Sequence, residues 1–303
     1  MTFGLPLYTA CDVALPSQLC EVLTADKSLY FAIGTLGLLP LAFLLERRFP
    51  ARPRQVLLSV GFAHDAIWWA LYPLLKMSLY AGFLVVLAGL FDHHLGFLKI
   101  HAVQRLPVAL QIALVVAASD FLAWLHHYVR HKVPLFWHFH AIHHSQTELN
   151  VLSDLRVHPV DFLVARLIMW LPFCSLSLDM AVPTIAAWEI FKNGFTRFCH
   201  ANIRTDLGPL RYILVTPQSH RIHHSREERH ADRNFGVIFS VWDRLLGTAH
   251  VPRQEYPQTG IADPDFPLER EITARSLVST PLRQLAYPFV CLFGGVDRAP
   301  DSS

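Results

Sequence analysis

Residues Asp120–His158 read DFLAWLHHYVRHKVPLFWHFHAIHHSQTELNVLSDLRVH, and eight of the chain's 18 histidines fall in this stretch. It opens with an HxxxH motif, His127 and His131, and an HxxHH motif begins nine residues after that pair closes. Positions i, i+3 and i+4 share one face of a helix, so the histidines of each motif are expected to project together. The second motif consists of His140, His143 and His144, and an HxxHH motif recurs downstream at His220, His223 and His224.

The number of histidines predicts two metal ions rather than one. Adjacent residues on a helix point about 100° apart, so the pair His143 and His144 can supply ligands to two metals placed side by side. His200, at the end of a later apolar run, brings the set to nine imidazoles. Structural zinc takes about four ligands and catalytic zinc usually three plus water. Nine imidazoles therefore predict two metals of higher coordination number.

These motifs restrict the kind of metal less than they restrict the number of metal ions. Imidazole suits iron, copper, zinc and nickel. The chain has no HExxH motif, so the general base of a zinc protease is missing, and few carboxylates lie within the histidine motifs. Three hypotheses follow: an oxygen-activating enzyme, a membrane metal-binding or transport protein that holds zinc or copper, and a membrane zinc hydrolase. The missing base disfavours the third.

The composition predicts a membrane protein. The chain has 303 residues, of which 52% are hydrophobic and 17% are charged, whereas soluble domains average about 25% charged residues. A net charge of +2 gives no indication of a nucleic-acid partner. The five cysteines are scattered and form no CxxC, which argues against a disulfide framework or a zinc ribbon.

We therefore expect an all-α integral membrane protein of four to five membrane helices with a cytosolic, histidine-rich metal-binding cap. An N-terminal membrane region, residues 1–105, should contain spans at about 29–45 and 62–91. The N-terminus lacks the features of a cleaved signal peptide, so the first run is interpreted as a retained helix. Its 17 uncharged residues are near the lower limit for crossing a bilayer, and the arginines that follow it predict a cytoplasmic loop.

The segment 62–91 allows one long span, kinked at Pro73, or two short ones. One span places the histidine motifs on the cytoplasmic side with the cell's reductants, and two spans would place them outside. We prefer one span for that reason.

A catalytic domain is predicted at residues 106–250, with a span at 106–125 and a helical hairpin at 160–198. The remaining residues, 251–303, are expected to form a cytosolic or interfacial tail. In this tail, residues 251–273 read as a loop, and Tyr287–Phe293 is apolar but too short to span, so it is expected at the membrane interface.

Metal-bound histidines usually donate their second N–H to a carboxylate or a carbonyl, so polar residues near the motifs are candidates for this role. Asp120, Asp232 and Asn202 are the main candidates, with Asp154 and Asp161 as further carboxylates. His158 is an additional ligand or a supporting residue, and the sequence leaves that choice open. His126 and His138 lie outside the motif spacing. Six other histidines are not expected to be ligands: His64, His93, His94, His101, His230 and His250.

The motifs resemble those of the sterol desaturase/fatty acid hydroxylase superfamily. The resemblance rests on D-F-x-x-W-x-x-H-x-x-x-H, L-F-W-H-x-H-x-x-H-H-S and L-R-x-H-P, and downstream on T-P-x-S-H-R-x-H-H-S, D-R-N-F-G and W-D-R-L-x-G-T. It covers roughly Asp120 to His250. Transferred by position, it implies nine metal ligands: His127, His131, His140, His143, His144, His200, His220, His223 and His224.

The resemblance implies a multi-pass, non-haem di-iron enzyme that holds two iron ions on the cytoplasmic side. Such an enzyme uses O2 to hydroxylate or desaturate a fatty acyl chain, a sterol or a related lipid. The chain shows no GxGxxG unit and no iron–sulfur cysteine set. A separate electron donor is therefore expected, of a cytochrome b5-like, ferredoxin or reductase type. Asp161 stands where the family commonly has Glu.

Overall fold

A computed structural model describes residues 39–175, 182–250, 252 and 254–294 of the chain. Within these ranges the regular structure is helical, and the only β-type pairings are three isolated bridges. The helices, in chain order, are α1 (Leu39–Arg48), α2 (Val60–His94), α3 (Val108–Lys132), α4 (Pro134–His144), α5 (Pro159–Ser175), α6 (Val182–His200), α7 (Pro217–His223), α8 (Val241–Leu245) and α9 (Ala274–Phe293). Short 3-10 turns connect several of them. The predicted all-α class is confirmed for the described residues.

The first predicted span, 29–45, lies outside the described residues up to residue 38. Its remaining part belongs to α1, which ends in Arg47 and Arg48. Glu46, near the end of α1, is buried, and its carboxylate accepts the backbone N–H groups of Val151 and Asn202 at 3.0 and 2.9 Å. These bonds attach α1 to the loop after α4 and to the end of α6.

The segment 62–91 forms one continuous helix, as the preferred interpretation requires. Ser59 caps α2 by accepting the N–H of Phe62. The helix has 35 residues. Its first turns pack among the loops around the histidines. Asp65 is fully buried there, and the Arg156 guanidinium donates to its carboxylate.

Helix α3 runs beyond the predicted span end at residue 125. Nothing in Leu125–Lys132 breaks a helix, and the break comes at Val133-Pro134, where proline starts α4. His127 and His131 therefore lie on the same helix as the apolar residues before them. Of the helices in the described ranges, α3 is the one long and apolar enough to cross a membrane, with a mean hydropathy of 2.0 over its most apolar window.

The predicted hairpin at 160–198 corresponds to α5 and α6, and the connection at 176–181 lies outside the described residues. Helices α3, α4 and α5 pack on one another. Helix α6 approaches α7 through its C-terminal end, where His200 lies.

The tail is more ordered than the sequence predicted. The expected short apolar segment at 287–293 is the end of a 20-residue helix, α9, which begins with a capping box formed by Thr273 and Ser276. Helix α9 packs on α2 and α4. The sequence did not predict this helix, because it contains Pro281 and Pro288 and prolines in a helical pattern usually end the helix.

Candidate metal centre

Four helices bring the nine predicted ligands to one place. Helix α3 carries the HxxxH pair, α4 the first HxxHH motif, α6 ends at His200, and α7 with its C-terminal cap residue carries the second HxxHH motif. The start of α7 is defined by a capping box between Thr216 and Ser219 and by Pro217 at its first position.

The nine histidines form two groups, and within each group the potential ligand nitrogens lie within 4.8 Å of one another. The first group has five members: His127, His131, His140, His144 and His223. The second group has four members: His143, His200, His220 and His224. We call them the five-histidine group and the four-histidine group.

Both adjacent pairs divide between the groups, as expected from their angular separation. The rings of His143 and His144 are inclined at 82°, and those of His223 and His224 at 90°. Each HxxHH motif thus supplies both groups. The prediction that one helix feeds two neighbouring sites agrees with this arrangement.

The separations between facing nitrogens fit a metal of high coordination number. Nε2 of His127 lies 2.9 Å from Nε2 of His223, and His131 and His144 approach to 3.1 Å in the same way. In the four-histidine group, Nε2 of His200 lies 3.2 and 3.0 Å from Nε2 of His143 and His220. Two nitrogens bound at about 2.1 Å lie about 3.0 Å apart at a right angle and about 3.4 Å apart at a tetrahedral angle. Three of the four spacings are closer to the right-angle value, and the fourth, 3.2 Å, lies between the two values.

Several inward-facing nitrogens lack any other partner in the described part of the chain. Nε2 of His140 is buried without a hydrogen bond, and so are both ring nitrogens of His224. Buried polar atoms are normally satisfied, so such a concentration indicates a missing ligand. A metal ion in each group would satisfy Nε2 of His140 and one ring nitrogen of His224.

Backbone carbonyls hold the outward-facing nitrogens of three of the nine histidines. The Nδ1–H groups of His127, His223 and His200 donate to the carbonyls of Phe235, Arg233 and Thr196 at 2.9, 2.8 and 2.8 Å. These contacts fix the tautomer that leaves the Nε2 lone pair free for a metal. The carbonyl acceptors could not be predicted from side chains. The D-R-N-F-G motif was the available signal for two of them, because it contains Arg233 and Phe235.

Asp161 is the carboxylate behind His140. Its Oδ2 lies 3.1 Å from His140 Nδ1 and 2.8 Å from Nη1 of Arg130, and all three side chains are buried. The arginine pairs with this carboxylate and helps to orient it toward the histidine. Asp232 lies 3.7 Å from Nδ1 of His131 and pairs with Lys132, so it is placed to support His131 electrostatically.

Asp120 and Asn202 do not contact the histidine rings. The Asp120 carboxylate accepts the N–H groups of Ile238 and Phe239 and the indole N–H of Trp242, so it fixes the loop before α8. The Asn202 side-chain oxygen accepts from Arg221 Nη2 at 3.0 Å and from the backbone N–H of Arg52. Both residues position the loops that carry ligands.

The structure does not bring His158 into either group, which argues against its assignment as a possible ligand. Its Nε2–H donates to the Leu285 carbonyl at 3.2 Å, and its Nδ1 accepts the N–H of Val160 at 3.0 Å. Both ring nitrogens are used, so no lone pair is left for a metal. His158 instead connects the start of α5 to α9.

The other histidines also lie outside the two groups. His230 and His250 form a separate set with Glu255, whose carboxylate also pairs with Arg229. The positive guanidinium opposes cation binding at that carboxylate. His64 faces the carbonyl of Glu271 at 3.1 Å.

Burial makes the ligand imidazoles neutral, which is the form that binds metal. Desolvation lowers the pKa of His223 to about 3. The pKa values of His220 and His224 also fall well below the usual value, first because of burial and then because of the neighbouring imidazoles. Neutral, convergent, water-shielded imidazoles suit a transition metal.

A cavity of about 360 Å³ lies beside the five-histidine group. Three of its lining residues are members of that group, His131, His144 and His223. The side chains of Trp137 and Tyr287 also line it, and the Trp137 ring lies 5.0 Å from the ring of His131. The cavity gives a molecule of modest size access to one of the two groups.

Comparison with known proteins agrees with this site. Residues 112–248 match the sequence model of the fatty acid hydroxylase family, a range that contains all nine histidines. An ornithine lipid hydroxylase, OlsE, from Rhizobium tropici is 35% identical over 147 residues, which cover 48% of this chain and 44% of that protein. No solved structure matches.

Alkylglycerol monooxygenases are also similar. The protein from Xenopus tropicalis is 32% identical over 48% of this chain and 31% of its own length, and the protein from Danio rerio is 33% identical over 41% and 27%. The chain spans less than half the length of these curated relatives. The matched region holds the whole two-group histidine arrangement, and residues 112–248 are therefore similar to the fatty acid hydroxylase family over all nine histidines.

Proposed function

We propose that this protein is a membrane-bound, O2-dependent lipid oxygenase with a di-iron centre. The observation that carries the proposal is the division of nine histidines, eight of them buried, into two adjacent groups inside the region that matches the fatty acid hydroxylase family. The five-histidine group would hold one iron and the four-histidine group the other. Residues 106–250 would form the catalytic domain.

The donor set supports iron over a structural zinc pair. A group of five imidazoles exceeds the usual four ligands of structural zinc, and the right-angle nitrogen spacings suit octahedral coordination. Bound iron would supply the activation of O2 and the oxidation of a C–H bond, with electrons from a separate donor.

The protein's own residues would provide orientation, neutrality and exclusion of water. Backbone carbonyls and Asp161 hold the rings so that the metal-binding nitrogens converge. Burial of the groups keeps bulk water away from a strongly oxidising site. Burial, and then the nearby Arg130 charge, lower the pKa of His140, and Asp161 holds the ring in position.

The substrate class is a lipid with an apolar C–H position, either a fatty acyl chain, a sterol or a related lipid. The relatives are named as an ornithine lipid hydroxylase and alkylglycerol monooxygenases, which supports hydroxylation of a lipid. The same site could desaturate if a second hydrogen were removed instead. The cavity beside the five-histidine group is where the reacting carbon would approach.

The membrane topology belongs to the same proposal. We propose four to five membrane helices, including α3 and the α5–α6 pair, with the metal centre at their cytoplasmic end. This placement gives the centre access to a cytosolic electron donor of the cytochrome b5-like, ferredoxin or reductase type.

Labelled oxygen tests the reaction directly. The purified full chain, in lipid nanodiscs with a reducing system, should incorporate 18O from 18O2 into a hydroxylated lipid. A product whose hydroxyl carries oxygen from water would contradict the proposal and indicate hydration. The substrate would be identified by comparing the lipids of cells with and without the gene.

A metal-transport function is disfavoured by the placement of the histidines. Transport would distribute ligands along a path through the membrane helices. Here the nine imidazoles lie in two compact groups at helix ends.

A further inference from the structure

Helix α9 has its polar side inward and its apolar side outward, the reverse of a helix on the surface of a soluble protein. Its buried residues include Ser276, Thr280 and Gln284, the last with no exposed surface. The outward side carries large apolar residues, which are Val278, Leu282, Phe289, Val290 and Phe293, and Phe293 is 82% exposed.

The exposed apolar residues form one continuous stripe. At about 100° per residue, positions 278, 282, 289 and 293 lie within about 60° of one another around the helix. Arg275 and Arg283 are also exposed on this helix. An apolar stripe with basic residues fits a bilayer surface that contains anionic lipids.

The buried polar side connects α9 to two predicted membrane helices where they begin. Gln284 accepts the indole N–H of Trp68, in the third turn of α2, at 2.9 Å. The Leu285 carbonyl accepts from His158, immediately before α5, at 3.2 Å. These contacts place α9 beside the parts of α2 and α5 that adjoin the histidine-bearing region. In the proposed topology this is the level of the membrane surface.

The opposite side of α9 faces the metal centre. Tyr287 and Cys291 line the cavity that also contacts His131, His144 and His223. The helix thus separates this cavity from whatever covers its apolar stripe.

We propose that the apolar stripe of α9, formed by Val278, Leu282, Phe289, Val290 and Phe293, docks on the lipid bilayer, so that α9 lies in the membrane interface as one wall of the cavity beside the metal centre. The proposal relies on the proposed membrane topology of α2 and α5 and is independent of the reaction catalysed. Arg275 and Arg283 would contact phosphate groups of the lipids.

Photocross-linking tests this docking. The photoreactive amino acid p-benzoylphenylalanine would replace Phe289 or Phe293 in the full chain, reconstituted in nanodiscs of phosphatidylcholine and phosphatidylglycerol. The matched control carries it in place of Arg229, an exposed residue that does not line the cavity. Mass spectrometry after irradiation should find lipid adducts at 289 and 293 and only background at 229.

Two results would overturn the proposal. One is background-level lipid adducts at both helix positions. The other is cross-linking of both positions to a second copy of the chain, because the stripe would then be a protein interface. Phe293 is the more informative site if Phe289 disturbs folding, since the Phe289 ring also contacts Phe139. The assay needs no turnover, so an inactive protein that cross-links to lipid would contradict the proposed function alone.

Discussion

At the residue scale, several of the proposed ligand histidines divide two roles between their ring nitrogens. One nitrogen faces the group centre, and the other is anchored, as in His127 to the Phe235 carbonyl and His140 to Asp161. The ligands and their supports are therefore separable by mutation.

Removing a ligand from either half of the chain should abolish the centre. We expect His140→Ala and His220→Ala to lose activity equally and to retain less iron, because each belongs to one of the two groups. His224→Ala should behave as His220→Ala does. Iron content and lipid hydroxylation of the purified variants are the measurements.

His138→Ala is the matched control, since His138 lies on the same helix as His140 but in neither group. It should keep its iron and most of its activity. Loss of iron in this variant, or retention in His220→Ala, would contradict the ligand assignment.

Asp161 should act through His140 rather than on the substrate. Asp161→Asn keeps an acceptor for the ring but removes the charge that faces Arg130. Loss of such a support typically weakens metal binding by about 10–100-fold. Titration of the iron-loaded protein with a chelator should show this loss, and Asp92→Asn, in the exposed pair with Lys99, should leave retention unchanged. Equal retention in both variants would contradict the role of Asp161.

At the element scale, the turn at 233–236 is the part of the site built most tightly. Asp243 accepts the N–H groups of Phe235 and Gly236 at 2.8 Å each, and the indole N–H of Trp124 at 2.9 Å. A side chain at Gly236 would approach the Phe239 carbonyl to 2.8 Å. The turn therefore requires glycine, and its carbonyls hold two ligands.

Gly236→Ala should consequently loosen the metal centre. The added methyl group would displace the turn that presents the Phe235 carbonyl to His127. Iron retention and the thermal unfolding midpoint should both fall. Gly96→Ala, where an added methyl group meets nothing within 4 Å, should leave iron retention as it is. A Gly236→Ala protein with wild-type retention would show that the turn does not support the site.

Removing the cation from the buried ion pair between α2 and the loop after α4 should destabilise the fold strongly. Arg156 is fully buried between Asp65 and Glu269, which hold its pKa above the usual value. Arg156→Met leaves two buried carboxylates without their cation, and removing one partner of such a pair typically costs about 3–5 kcal/mol.

Thermal unfolding in detergent should therefore show a much lower midpoint for Arg156→Met. Arg229→Met, in an exposed ion pair, is the control and should change the midpoint little. Equal midpoints for the two variants would contradict a structural role for the buried pair.

At the scale of the whole molecule, the sequence predicts the two histidine groups better than it predicts the contacts that support them. The spacing of HxxxH and HxxHH is sufficient to predict two adjacent groups, because helical geometry separates His143 from His144. The sequence also indicates the continuous helix at 62–91. The two groups follow from local helical periodicity, whereas one span at 62–91 is preferred because it places the histidine motifs on the side of the cell's reductants.

The supporting contacts follow from long-range packing and could not be read in this way. The Arg233 and Phe235 carbonyls have no signature in their own side chains, and the burial of Asp65 against Arg156 joins residues 91 positions apart. The sequence did not predict α9, because the helix contains two prolines. Its inward polar side depends on a long-range contact, the hydrogen bond from Trp68 to Gln284. The sequence left His158 open as a ligand, but both of its ring nitrogens form hydrogen bonds to backbone groups.

The central claim is that the two histidine groups hold two iron ions. Metal analysis of the purified full chain, expressed with iron and zinc both present, tests it most directly. We expect about two irons per chain, and we expect iron and oxygen consumption to be lost together when a histidine of either group is replaced. Exchangeable zinc in place of iron, with no oxygen consumption, would contradict it and favour a metal-binding or transport protein.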